Sequence, residues 1–403
     1  MRGEFLKAAE FHFLSKDFLL IFTTNFLYFG SFYLLIPTMP QFVGELGGTP
    51  SQIGLVMGFF TLAAVVVRPS FGRLADLYGR KRLMLTGAAF FAVLFLPYLY
   101  AHSVMPLYFV RIAHGIAHAS FLAASAAYIA DLAPPARRGE VIGMYGTSNV
   151  LAMAMFPAIG TEIILATGSF AYLLTVSTFA AAAAACLAAG LNEIPGIHAK
   201  GAKKASLAEI GSRREVLIPS LALMAGATAY GATITFLPLF APQRGIQDFG
   251  VFFTVFAAFT LLSRVLAGKL SDRVGRYKVI MPFMFLVVVA VALLPRLDGH
   301  WLLAVIGGCF GLGFGAFMPT LNALVVDRTP PPERGSALGF FTSFMDLGIG
   351  AGSVILGLVG ELFGYTVMFY AASGIMLAGM LIFAFYMHPG KEKGEKEEIF
   401  PGK

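Results

Sequence analysis

The segment Gly72-Arg73-Leu74-Ala75-Asp76-Leu77-Tyr78-Gly79-Arg80-Lys81 has a counterpart 196 residues later, Gly268-Lys269-Leu270-Ser271-Asp272-Arg273-Val274-Gly275-Arg276-Tyr277. The same offset carries Arg68 onto Arg264, Asp131 onto Asp327, Arg138-Gly139 onto Arg334-Gly335, and Gly143 onto Gly339. A chain of 403 residues that repeats at 196 must fold as two similar halves, because a self-similar sequence satisfies its local constraints in the same way twice.

What each half contains follows from hydropathy. Hydrophobic residues make up 58% of the chain and charged residues only 13%, and the mean hydropathy is +0.78. These values lie far from those of soluble domains. Apolar runs near the length that crosses a hydrocarbon core follow one another throughout. In the first half they fall at 17–38, 51–71, 83–101, 105–129, 140–165 and 169–190. In the second they fall at 216–240, 247–267, 278–295, 301–326, 336–360 and 365–387. The reading is an all-α integral membrane protein of twelve spans, six per half. Its N-terminal bundle is 1–190, its linker 191–215, its C-terminal bundle 216–387 and its tail 388–403.

Charge placement sets the expected orientation. With both termini inside the cell, the termini and inner loops hold 24 of the 29 Lys and Arg residues, the asymmetry that orients short loops. The net charge of +7 is thereby accounted for as inner-face charge, and no nucleic-acid partner is expected. The first apolar run is longer than a secretory h-region and lacks a small-residue cleavage site, so it reads as the first span of a multi-pass protein of the cell (inner) membrane. Cys186 and Cys309 sit inside spans without metal-ligand spacing, and neither a metal nor a cofactor is expected. The linker is the one long polar interior segment, with a short helix expected near residues 206–211, and the Lys- and Glu-rich tail reads as solvated.

Between spans 2 and 3 the repeated segment must reverse the chain within about ten residues. Gly72 and Gly79, and Gly268 and Gly275 in the second copy, allow close approach and a tight turn. Arg80 to Arg82 suit an inner membrane surface. Asp76 in a basic loop needs a cationic partner or a helix N-terminus. The pattern resembles the signature of the major facilitator superfamily, and the resemblance extends over essentially the whole chain. It implies two six-helix bundles rocking around a central cavity, working as a monomer. The motif would form a cytoplasmic gate of Asp76, Arg80 and Asp131, repeated as Asp272, Arg276 and Asp327.

A second, weaker resemblance lies in span 4. Leu107-x-x-x-Arg111-x-x-His114-Gly115 is similar to the family's proton-antiporter pattern, with histidine in place of the usual glutamine. The span-5 antiporter motif is degenerate, reading Phe156-Pro157-Ala158-Ile159-Gly160-Thr161. The closest likeness is to bacterial drug- and sugar-efflux-like members.

Ionisable groups inside spans cost about 2.5–3.5 kcal/mol each at mid-bilayer, so each is a site candidate. Arg111, His114 and His118 share one helical face, which suggests an anion-attracting arginine beside histidines that titrate near neutrality. Asp346 lies roughly 15 Å into span 11, followed by Gly348, Gly350 and Gly352. The proton-coupling candidates are therefore Asp346, His114 and His118. The cavity candidates are Arg111, Asn25, Tyr28, Tyr33, Asn149 and Tyr230. The expected activity is secondary active transport: proton-coupled export of small organic molecules. Import or uniport of a small metabolite is the alternative, and a non-transporting sensor a remote one. No ATP-binding G-x-x-x-x-G-K-[ST] loop and no H-E-x-x-H cluster occurs, so neither an ATP-driven pump nor an enzyme is expected.

Overall fold

The computed structural model describes residues 13, 15–134, 137–193, 207–330 and 333–387. Among these residues every regular element is helical, as lipid demands of a spanning chain, because only a helix or a closed barrel satisfies all its backbone N–H and C=O groups without water. The first half contributes α1 (Lys16–Leu35), the short α2 (Met39–Glu45), α3 (Pro50–Tyr78) and α4 (Arg80–Val93). A 3-10 turn (Leu96–Tyr100) follows α4, then α5 (Val104–Leu132), α6 (Arg138–Thr167) and α7 (Phe170–Ala189). The second half contributes the short α8 (Leu207–Ser212), α9 (Arg214–Gln243), α10 (Gly250–Val274) and α11 (Arg276–Leu293). A second 3-10 turn (Leu294–Arg296), α12 (His300–Arg328) and α13 (Arg334–Met387) complete it.

Eleven of these helical segments are long and apolar enough to cross a membrane. The last, α13, runs for 54 residues but is broken at Gly364, where φ is 82°. Its counterpart 196 residues earlier is Gly168, with φ 61°, which separates α6 from α7. Left-handed backbone is cheap only for glycine. The break at Gly364 therefore divides α13 as Gly168 divides α6 from α7, and the twelve apolar runs are recovered.

The reversal between spans 2 and 3 is tighter than expected. Within the ten residues allowed for it, α3 continues to Tyr78 and α4 starts at Arg80. The turn is made at the single residue Gly79, with φ 95° and ψ 142°, and its counterpart Gly275 has φ 95° and ψ 146°. Most of the motif, from Gly72 to Tyr78, is thus helix, with its acid on the last turn.

The chain groups into two compact units: Met1–Gly48 with Phe59–Lys200, and Thr49–Gly58 with Gly201–Lys403. In the first unit α1 packs against α6 and α7, and α4 against α5 and α7. In the second, α9 packs against α13, α10 against α12, and α11 against α12 and α13. Residues 194–206 of the linker and the tail 388–403 lie outside the described residues. The described end of the linker holds α8, followed by Arg213, which pairs with Glu333 and, at 3.3 Å, with Glu209.

Without water to drive apolar faces together, close approach of backbones holds such helices. A Cβ at Gly115 would stand 2.1 Å from the Phe60 carbonyl oxygen, and one at Gly311 would stand 2.2 Å from that of Phe256. Both pairs are 196 residues apart, so one helix contact is built twice. Gly115→Ala and Gly311→Ala are each expected to destabilise by about 1–3 kcal/mol through overpacking. Gly374→Ala, with nothing within 4 Å of the added carbon, is expected to be neutral or to stabilise by up to ~1 kcal/mol. Unfolding of the purified variants in detergent checks both signs.

Candidate functional site

The two copies of the motif make the same contacts at different depths. In the first, Arg80 pairs with Asp131 and, at 3.1 Å, with Asp76 one turn before it. The Arg80 and Asp131 side chains are 7% and 12% exposed, against 57% for Asp76. In the second, Arg276 reaches Asp272 at 2.6 Å, Asp327 at 3.0 Å and the Ser271 hydroxyl at 2.6 Å. There Arg276 and Asp327 are 23% and 52% exposed. Glu193 closes the first turn by accepting a hydrogen bond from the Lys81 N–H at 3.3 Å. The motif glycines Gly72 and Gly268 have open space where a Cβ would stand.

A polar cluster sits deeper in the first unit, on α5 and the elements around it. Arg111, His114 and His118 are all buried. The Arg111 guanidinium lies 4.4 Å from the centroid of the Phe60 ring on α3 and neighbours the Tyr98 hydroxyl. A cation over an aromatic face keeps favourable electrostatics where water is excluded. The Tyr98 hydroxyl also lies 3.2 Å from His114 Nδ1, and His114 Nε2 lies 3.0 Å from the Phe91 carbonyl oxygen. One turn on, His118 Nδ1 lies 3.2 Å from the Tyr28 hydroxyl. Its ring is stacked against Phe32 at 5.2 Å and tilted against Phe60 at 5.2 Å.

Polar groups of α1 and α6 form a second, uncharged network. Asn25 donates to Ser148 Oγ at 2.7 Å and accepts from the Tyr145 hydroxyl at 2.7 Å. Tyr33 donates to Asn149 Oδ1 at 3.4 Å. Phe29 and Phe32 join the two networks along α1, since each packs on Tyr33 and on His118.

The second unit offers the same frame with other chemistry. Tyr230 stacks on Phe256 at 5.7 Å and on Phe314 at 5.0 Å, and meets Phe310 edge-on at 6.2 Å. Phe256, Phe310 and Phe314 stand 196 residues after Phe60, His114 and His118, and Gly307 stands where Arg111 would. Asp346, half-buried on α13, precedes Gly348, where a Cβ would stand 2.5 Å from the Met224 carbonyl oxygen of α9. At the same offset the first half has Val150.

The structure thus gathers Arg111, His114, His118 and Tyr28 into one cluster and Asn25, Tyr33 and Asn149 into its neighbour. Tyr230 and Asp346 belong to the second unit. Sequence reasoning missed Tyr98, Phe60, Tyr145 and Ser148. One signal was available: at the repeat offset Tyr98 answers to Leu294, an unmatched polar residue beside Arg111 and His114. Phe60 matches Phe256 and carried no such mark. Among the described residues no group of three or more His, Cys, Asp or Glu side chains is placed to hold a metal.

A family model described as Major Facilitator Superfamily matches residues 21–252 and 246–402. The multi-drug resistance efflux pump PmrA of Streptococcus pneumoniae is 27% identical over 364 residues, covering 87% of this chain and 90% of that protein. The staphylopine export protein of Staphylococcus aureus is 24% identical over 405 residues, covering 93% and 97%. Among solved structures, the nucleoside transporter NupG superposes with a TM-score of 0.72 at 16% identity over 92% of this chain and 98% of that one. A bacterial homolog of the human lysosomal transporter Spinster, inward-facing and occupied, gives 0.73 at 14% identity over 91% and 94%.

The unequal burial of the motif pairs yields an expectation. Asp131→Asn removes the buried one of the two carboxylates that hold a buried guanidinium and should cost on the order of 3 kcal/mol. Asp327→Asn, at an exposed pair, should cost less than about 1 kcal/mol. Unfolding titrations of the two variants under identical conditions compare the losses directly.

Proposed function

This chain belongs to the Major Facilitator Superfamily, and we propose that it exports small organic molecules by antiport with protons through alternating access. It is a multi-pass membrane transporter of that family. The observation that carries the finer reading is the failure of the repeat at one packed site. Where the second unit places Phe310 and Phe314 against Phe256, with Gly307 beside Phe252, the first places Arg111, His114 and His118 against Phe60. Groups so costly to hold in a membrane persist where they meet cargo or protons.

In this reading Arg111 with its aromatic neighbours favours anionic or zwitterionic cargo, and the neutral donors and acceptors of Asn25, Tyr33, Tyr145 and Asn149 add hydrogen bonds. Tyr28 and Tyr230 extend the cavity wall in their own units. Asp346 exchanges the proton, with His118 or His114 as rivals. The basic side that holds 24 of the 29 Lys and Arg residues faces the cytoplasm with both termini. There the Arg80 and Arg276 ion pairs act as gate contacts, whose making and breaking bias two states by the few kcal/mol that switching needs. The names of the efflux pump and the export protein among the relatives agree with outward transport. Import or uniport is the second reading, favoured by the span-5 segment Phe156-Pro157-Ala158-Ile159-Gly160-Thr161, which departs from the antiporter pattern. Gly160 there serves packing, since a Cβ would stand 2.4 Å from the Leu34 carbonyl oxygen.

The test uses purified protein in liposomes loaded with a pH-sensitive dye, with norfloxacin as a zwitterionic probe and ethidium as a cationic one. Antiport predicts proton movement opposite to cargo. Asp346→Asn should reduce that coupled movement at least about tenfold, a loss of 1.4 kcal/mol in the coupling step. Undiminished coupling removes Asp346 from the role, cargo and protons moving together identify an importer, and flux indifferent to pH identifies a uniporter.

A further inference from the structure

Tyr98 sits on the 3-10 turn that ends the α4 segment and is 1% exposed. Its hydroxyl lies 3.2 Å from His114 Nδ1, with the Arg111 guanidinium as its charged neighbour. Donor and acceptor capacity orders these bonds. The Phe91 carbonyl oxygen, 3.0 Å from His114 Nε2, can only accept, so Nε2 carries a proton. A guanidinium can only donate, so towards Arg111 the Tyr98 oxygen can only accept, which leaves its own O–H to pair with Nδ1. With the O–H on Nδ1, Nδ1 presents a lone pair and His114 is the neutral Nε2–H tautomer. In this arrangement the Tyr98 O–H and the His114 Nε2–H each have one acceptor. A second proton on His114 would require the Tyr98 oxygen to accept from Nδ1 and to turn its own O–H away from it.

The second repeat supplies independent support. At the 196-residue offset Tyr98, Arg111 and His114 become Leu294, Gly307 and Phe310, and Leu294 and Phe310 are fully buried. The close contact of Gly115 with Phe60 is nevertheless kept as Gly311 with Phe256. The three polar groups are absent together from a site whose packing survives, as members of one hydrogen-bonded unit would be.

We propose that Tyr98 is a positioning residue that holds Arg111 over Phe60 and keeps His114 in its neutral Nε2–H form, so that His114 serves as a fixed link and not as a proton carrier. The proposal rests on the transport reading only for its consequence, which is to narrow the proton-coupling candidates to His118 and Asp346. Among the described residues, the titratable and charged groups that face His114 are Arg111 and His118 on its own helix and Tyr98 on the adjoining turn. Phe60 and Phe91 contribute rings, and Phe91 also its carbonyl.

The test needs no cargo. Full-length protein labelled with nitrogen-15 histidine is placed in lipid nanodiscs, and its imidazole nitrogen resonances are followed from about pH 5.5 to 8.5, the range that brackets an ordinary histidine. His114→Phe, the residue the second repeat uses, assigns the His114 pair by its disappearance. The expected result is a protonated Nε2 and an unprotonated Nδ1 that do not shift across the range. In Tyr98→Phe the same pair should lose its single tautomer and become pH-dependent. Titration of His114 in the unsubstituted protein overturns the proposal, and so does a Tyr98→Phe variant with the tautomer and pH response unchanged. Tyr98→Leu, again the second repeat's residue, replaces Tyr98→Phe if the latter does not fold, with the same two outcomes. A result of either kind is independent of whether norfloxacin or ethidium moves protons in liposomes, so failure of the transport reading registers separately.

Discussion

The close approach of α5 to α3 at Gly115, repeated by α12 and α10 at Gly311, is the contact on which the rest of each unit depends. In lipid there is little gain from bringing apolar faces together, so helices associate where small residues let backbones meet. A glycine against a carbonyl oxygen pins the two helices in rotation as well as distance. That pin sets Phe60 beneath Arg111, and it sets Phe256 beside Phe310 and Phe314. One backbone frame therefore presents a cation with two histidines in the first unit and a wall of rings in the second.

Burial of Arg111, His114 and His118 would be prohibitive without the partners that frame brings near. An arginine in mid-membrane costs about 2.5–3.5 kcal/mol on insertion scales, and here a ring face and a tyrosine hydroxyl stand in for water. Networks of this kind are stable when every member is satisfied and costly when one is removed. The ion pairs of the motif work under weaker demands. Arg80 is buried with Asp131, whereas Arg276 and Asp327 remain wet, so two copies of one sequence pattern differ in strength because their surroundings differ.

Much of the fold was legible because lipid enforces simple rules. Length and hydropathy identified the spans, and Gly168 and Gly364, in step with the repeat, mark corresponding breaks between them. The turn of the motif was legible only to within about ten residues, since hydropathy falls at Arg73 while the helix runs on to Tyr78. Charge ends an apolar run but not a hydrogen-bonding pattern, and only the positive φ of Gly79 stops it. Arg111, His114 and His118 were legible as one face through their spacing alone. Tyr98 and Tyr145 were not, because a tyrosine near the end of a span reads as an interfacial anchor until its hydroxyl is seen to have a buried partner.

By itself the sequence determined that the chain is two similar membrane-embedded halves, that its basic motif occurs in both, and that the unmatched ionisable residues lie on spans 4 and 11. Those facts follow from composition, periodicity and offset, which do not depend on how distant segments meet. Tertiary structure decided what each unmatched group touches. It set Arg111 on Phe60 and Tyr98, joined His114 to both Tyr98 and the Phe91 carbonyl, and gave His118 the Tyr28 hydroxyl. Which atom donates and which accepts is a property of the partner, and the partners come from other helices brought within about 3 Å by packing.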